Sequence, residues 1–178
     1  MKPTKKIAII GNAGSGKSVL SKKLQPIFKL PVYHLDQYFW KPGWIEPDPQ
    51  EYKQIHDAIC NKEEWIMDGM NLKLLDYRAS QADMIIFLNL PRAICFWRIF
   101  KRTYHYYGTV TPSSAPECNE RVNRAYFKFL KWVWNFKNRY PNKINEILKQ
   151  YSSTKKIYIL KSQKEIDQFI EKIKKNEY

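Results

Sequence analysis

Five short apolar runs punctuate the chain: Lys6–Ile10, Val32–Leu35, Trp65–Asp68, Met84–Leu88 and Lys156–Leu160. Most are near-continuous blocks of Ile, Leu, Met, Val and aromatic residues rather than alternating ones. The pattern therefore predicts strands buried on both faces. Between them apolar residues recur at three- and four-residue spacing. This predicts helices over Lys17–Phe28, Gln50–Asn61, Arg92 to about Tyr107, Glu117–Lys137, Lys143–Gln150 and Gln163–Lys175. Strand–helix alternation of this kind predicts an α/β fold in three layers, a parallel sheet with helices on both faces. Such sheets bind ligands beyond the carboxyl ends of their strands, so the residues closing each strand are the first candidates for a site.

Two Pro-rich stretches, Lys41–Pro49 and Thr109–Pro116, interrupt the periodicity. Both are short and flanked by aromatics, which fits substrate-covering loops better than domain linkers. A length of 178 residues fits one domain, spanning 1–178, with a helical lid region at about 92–140. No apolar run approaches the roughly twenty residues of a membrane span, and Met1–Thr4 leads straight into the first strand. No signal peptide or membrane association is expected. Cys60, Cys95 and Cys118 lack metal spacing, and His34, His56 and His105 show none with them. Reduced thiols in a cytoplasmic setting, without zinc, are the expectation.

The first strand runs into Gly11, Asn12, Ala13, Gly14, Ser15, Gly16, Lys17 and Ser18, a complete phosphate-binding loop followed by a helix. Its glycines let successive backbone N–H groups converge on an anion, and the helix N-terminus adds partial positive charge. Lys17 is expected to reach the outer phosphates of ATP or another nucleoside triphosphate, with the Ser18 hydroxyl on Mg²⁺.

Two carboxylates close strands on the same side. Asp36 follows the second strand; it is placed to accept a proton from a substrate hydroxyl, to meet Mg²⁺ through water, or to cap a helix. Asp68 ends the third strand in a Walker-B-like pattern and is followed by Gly69, where a close approach or an Asp-Gly turn is possible. Asn89 holds the corresponding place on the fourth strand, with Pro91 opening a helix and Arg92 close to the phosphate end.

A formal charge of +14 points to polyanionic partners. From Arg92 to Arg139 ten Arg and Lys residues face only two acids, Glu117 and Glu120. Arg98, Lys101, Arg102 and His105 share one helix face, with Ala93, Phe96, Phe100, Tyr104 and Tyr107 opposite. In the next helix Arg121, Arg124, Lys128 and Lys131 lie opposite Val122, Tyr126, Phe129, Val133 and Phe136. The aromatic stripes are expected to fill the interior. The arginines, above all Arg98 and Arg102, are expected to clamp phosphate from a lid. A nucleic-acid surface uses the same mixture of cations and aromatics, so both readings stand at this point.

Several stretches together resemble the adenylate-kinase-like P-loop proteins called DNA topology modulation proteins. They are Gly11–Ser18, His34-Leu35-Asp36 with Phe39–Trp44, Trp65–Gly69, Phe87-Leu88 with Pro91-Arg92, and Trp132–Phe136. Met70 stands between Gly69 and Asn71, and Asn89 stands where members often have Asp. The resemblance implies the nucleoside monophosphate kinase fold, a five-stranded parallel sheet of order 2-3-1-4-5 with an acceptor region and a lid. It implies that Lys17 and Ser18 serve triphosphate and metal, matches Asp36 to the family's acidic residue after the second strand, and puts Arg98 and Arg102 in its lid-side basic helix. Asp36, Trp40, Asp68, Gly69 and Arg92 are the residues expected to face the acceptor. The leading expectation is an ATP-dependent kinase acting on a small nucleotide or metabolite. The alternative is a nucleotide-dependent, DNA-associated regulator with little or no kinase activity.

Overall fold

A computed structural model describes residues 3–175. Its core is one five-stranded parallel sheet: β1 (Lys6–Gly11), β2 (Val32–His34), β3 (Trp65–Asp68), β4 (Met84–Leu88) and β5 (Lys156–Leu160), in the order β2-β3-β1-β4-β5. The three central strands are buried almost throughout, which explains their unbroken apolar sequences. Register then decides chemistry. Ile9 and His34 both lie opposite Asp68, and Gly11 lies opposite Leu88. All of these mark the carboxyl end of the sheet.

Helices cover both faces. The first core layer joins Ile7, Ile9, Ile86 and Leu88 to Leu20 and Leu24 of α1 (Lys17–Phe28) and to Phe169 and Ile173 of α9 (Gln163–Lys174). The second joins Ala8, Ile10, Ile85 and Phe87 to Leu75 and Ala79 of α4 (Leu72–Gln81) and to Ile144 and Leu148 of α8 (Pro141–Tyr151). Side chains set the starts of several helices. Asp48 accepts from the backbone N–H of Gln50 and Glu51 at the start of α3 (Pro49–Cys60), with Pro49 in the first turn. Asn71 and Ser162 cap α4 and α9 in the same way.

The expected strands and the α1 bounds hold, and three helices appear beyond those expected. One is α2 (Leu35–Phe39), which begins directly at the end of β2; the others are α4 and α7 (Phe136–Arg139). The helix expected over Glu117–Lys137 is instead α6 (Arg124–Trp134). Glu117 takes a left-handed φ of 58°, which a helix cannot accommodate, and Asn123 caps Tyr126 to set the true start. The residues before it bridge back, Tyr107 to Glu120 and Val110 to Asn119.

One sequence expectation fails outright. In α5 (Arg92–His105) the buried residues are Cys95, Ile99 and Thr103, whereas Phe100, Tyr104 and, just beyond the helix, Tyr107 are exposed, Tyr104 by 83%. The helix carries two stripes at helical spacing, and the smaller-residue one turns inward because it packs against the phosphate-binding loop. The Cβ that alanine would bring to Gly14 falls 2.3 Å from the Cys95 carbonyl oxygen, which shows how close that approach is. Along α6 and α7 the expected stripe holds better: Val133 and Phe136 are buried, Tyr126 and Phe129 half-buried, but Val122 is exposed.

Candidate active site

The loop Asn12–Gly16 wraps the carboxyl end of β1, with Gly14 and Gly16 at φ of 74° and 97°. Non-glycine residues rarely adopt this conformation, and here it turns backbone N–H groups toward one point. Asn12 is fixed from outside by donating to the Val133 carbonyl at 2.9 Å, so α6 buttresses the loop. Lys17 donates to the Asn12 carbonyl at 3.0 Å. Burial pushes its ammonium below the ordinary lysine range, while the charges of Asp36 and Asp68 act in the opposite direction.

Asp68 is 3% exposed and fully engaged. One carboxylate oxygen accepts from the Ser18 hydroxyl at 3.0 Å; the other accepts from Ser21 at 2.7 Å and meets His34 Nδ1 at 2.5 Å. The β2–β3 register brings His34 here, and the first turns of α1 bring Ser18 and Ser21.

Asp36, in the first turn of α2, contrasts with it. Among the described residues none hydrogen-bonds to its carboxylate, which opens onto solvent at the cleft. The protein mass around the cleft nevertheless raises its carboxyl above the ordinary range, and the Lys17 charge only partly offsets this. Gly69 follows Asp68 at φ 145°, where an added Cβ would lie 2.7 Å from that of Leu35. No side chain fits between β3 and α2 at this point.

A metal fit rests on donors rather than on a cage. Among the described residues no three His, Cys, Asp or Glu side chains are grouped as a metal site. Mg²⁺ commonly takes one or two protein oxygens and completes its shell with phosphates and water, and Ser18 backed by Asp68 supplies that kind of set. The Ser15 hydroxyl, buried in the loop without a partner, adds an unused polar group to the anion cradle.

The expected lid arginines reach different places. Arg98 donates to the Ser15 carbonyl at 3.2 Å and to Gln163 at 2.8 Å, at the mouth of the loop. Arg102 pairs with the buried Glu120 at 2.8 Å, and Thr103 donates to the same carboxylate. Its charge still acts on both Lys17 and Asp36. Arg92 is exposed and lies over the Trp134 ring, 4.4 Å from its centre. Lys101 and His105 are exposed, and Arg121 lies in the loop before α6.

The first Pro-rich loop meets the residues that directly follow the second. Gly43 N–H donates to the Glu117 carbonyl, Trp44 Nε1–H to the Asn119 carbonyl at 2.9 Å, and the Cys118 thiol to the Lys41 carbonyl. Trp40 packs edge-on against Phe39 and Trp44 beneath this junction. The stretches around Lys41–Trp44 and Glu117–Asn119 are thus joined to each other. His34, Ser21 and Glu120 are the members of these side-chain clusters that sequence reading missed. Only His34 carried a signal, being two residues before Asp36 at a strand end.

No protein-family model matches the chain. It is 27% identical over 138 residues to the uncharacterized protein YqaC of Bacillus subtilis, covering 75% of this chain and 74% of that protein. Among solved structures it resembles shikimate kinase from Acinetobacter baumannii, in complex with shikimate, with a TM-score of 0.55 at 12% identity; 96% of this chain and 90% of that one are covered. A gluconokinase from Sinorhizobium meliloti matches with a TM-score of 0.51 at 14% identity, covering 99% and 97%. No helix among the described residues is long and apolar enough to cross a membrane. With its strand order, its loop after β1 and these neighbours, the chain has the fold of P-loop kinases.

Proposed function

We propose that the chain is a cytoplasmic, Mg²⁺-dependent phosphotransferase that moves the γ-phosphoryl group of ATP to the hydroxyl of a small acceptor. The observation that carries this reading is the division of labour between two carboxylates. Asp68 is consumed by Ser18, Ser21 and His34, whereas Asp36 keeps both oxygens free beside Lys17. Asp68 therefore orients the Ser18 hydroxyl toward the metal, and Asp36 is the base.

In this reading the loop N–H groups and Lys17 hold the β- and γ-phosphates. Bound Mg²⁺ would neutralise charge on those phosphates. Asp36 takes the proton of the acceptor hydroxyl as its oxygen bonds to the γ-phosphorus. The bond from that phosphorus to the bridging oxygen breaks, and ADP leaves with the electron pair. Arg98 and Arg102 add positive charge from the lid side as the transferring group passes. The carboxyl of Asp36, raised by burial above the ordinary aspartate range, holds a proton more readily than a free carboxylate, as a base should. The fold shared with a shikimate kinase and a gluconokinase supports a small hydroxylated acceptor. The motif resemblance to DNA topology modulation proteins supports the same nucleotide-binding fold and names no acceptor.

The test is acceptor-stimulated ADP release, measured with a panel of hydroxy acids, sugars, nucleosides and nucleoside monophosphates. One or more acceptors should stimulate release, and Lys17→Ala should reduce that release by about 10²-fold or more. Equal turnover by wild type and Lys17→Ala would sink the proposal.

A further inference from the structure

Between Asp36 and Asp83, the stretch that forms the acceptor side, the chain has five cations: Lys41, Lys53, Lys62, Lys73 and Arg78. Lys41 and Lys53 pair with Glu51 and Asp57 on the surface, Lys62 lies over the Tyr33 ring, and Lys73 is exposed. Arg78, in the last turn of α4, differs from all of them. It is 0% exposed, and no carboxylate pairs with it among the described residues. Its Nη2 donates to the Gly69 carbonyl at 3.0 Å, while Nε and Nη1 are buried without any partner.

A guanidinium enclosed without a counter-ion and with unused N–H groups is costly, and such groups persist where something else completes them. The position is telling. The hydrogen bond to Gly69 sets the guanidinium under the turn that follows Asp68. The ionisable groups acting on it are Tyr52, Cys60, Asp68 and Asp36. Tyr52 belongs to α3, whose lead-in Lys41–Glu46 is exposed at every residue.

We infer that Arg78 is the anion-binding residue of the acceptor site, so that the acceptor carries an oxyanion, carboxylate or phosphate, besides the hydroxyl that receives the phosphoryl group. The oxyanion takes the N–H groups of Nε and Nη1, the two donors that have no partner among the described residues. Arginine suits this because its donors lie in one plane and match an oxyanion's spread lone pairs. Naming the acceptor's class in this way rests on the kinase reading.

The experiment reads binding rather than turnover, so the two ideas can fail separately. The P-loop is first filled with Mg·ADP, and the protein, carrying ¹⁵N-arginine, is titrated with inorganic phosphate and separately with acetate. Arg78→Lys assigns the Arg78 Nε–H resonance by its disappearance, and circular dichroism of that variant checks its fold. The expected result is a saturable shift of the Arg78 resonance with at least one anion. Phosphate alone marks a phosphorylated acceptor, and acetate as well marks a carboxylate. In Arg78→Lys, phosphate binding measured by calorimetry on the Mg·ADP form should weaken about tenfold. A resonance unmoved by either anion would overturn the inference and leave Arg78 as a strut for the Gly69 turn. Anion binding with no acceptor-stimulated ADP release would instead count against the kinase reading alone.

Discussion

The two sides of this cleft, which we read as the donor side and the acceptor side, are built by different means. The donor side is mostly backbone: glycines at left-handed φ, a helix N-terminus, and Asn12 clamped by α6. Its one carboxylate, Asp68, has its oxygens occupied by Ser18, Ser21 and His34. The acceptor side is mostly side chain, and its groups are left incomplete. Among the described residues the Asp36 carboxylate has no hydrogen-bonding partner, and Arg78 has unused N–H groups under a glycine turn. Phosphates are the same in every nucleotide, so a prebuilt cradle made mostly of backbone would serve them. Acceptors differ, and unsatisfied side chains are where their specific groups are recognised.

Removing the free carboxylate should break the comparison most sharply. Asp36→Asn should lower acceptor-dependent turnover by about 10²- to 10⁴-fold, the usual span for loss of a general base. The wild-type rate should rise with pH through a value above the ordinary aspartate range. Stability carries the opposite sign. Because folding raises this carboxyl, its contribution is greatest below the unfolded aspartate value and is lost as pH rises through the raised one. Asp36→Asn should therefore melt at the same temperature or higher at neutral pH. A variant that is both active and less stable would show Asp36 to be structural.

The donor side should fail differently. In Gly14→Ala a methyl group meets the Cys95 carbonyl at 2.3 Å in a left-handed backbone, so the loop or α5 must move. Thermal denaturation should report a loss of roughly 1–3 kcal/mol, with nucleotide affinity falling too. An unchanged melting temperature would mean that the loop is not prebuilt.

The smallest effect is expected away from both. Tyr104 projects into solvent from α5, so Tyr104→Ser should change stability by less than about 0.5 kcal/mol in chemical denaturation. Loss of several kcal/mol would restore the interior role that helical periodicity assigned to that stripe.

The contrast also explains what could be read from sequence. The phosphate loop is eight consecutive residues whose chemistry is local, and buried parallel strands write themselves as apolar blocks, so Gly11–Ser18 and all five strands were legible. Asp36 and Asp68 could be found because strand ends mark the active edge. Their different environments could not, since His34 reaches Asp68 through strand register and Ser21 through the path of α1. Arg78 sits in a helix where a cation ordinarily reads as solvated, and α4 itself was overlooked although Asn71 caps a Leu72, Leu75, Ala79 stripe. Periodicity found a basic and an aromatic face on α5 but missed the Cys95, Ile99, Thr103 stripe that turns toward the phosphate loop. Its inward turn is decided by how closely Cys95 must approach Gly14.

The most direct test is the affinity of each carboxylate variant for a non-hydrolysable ATP analogue, measured by calorimetry with and without Mg²⁺. With Asp68 orienting Ser18 and Asp36 acting as base, Asp36→Asn should keep the wild-type Mg²⁺-dependent gain in affinity within about twofold. Asp68→Asn should lose most of that gain, by about tenfold or more. The reverse pattern, with the Mg²⁺ effect lost in Asp36→Asn and kept in Asp68→Asn, would contradict the division of labour between the two carboxylates.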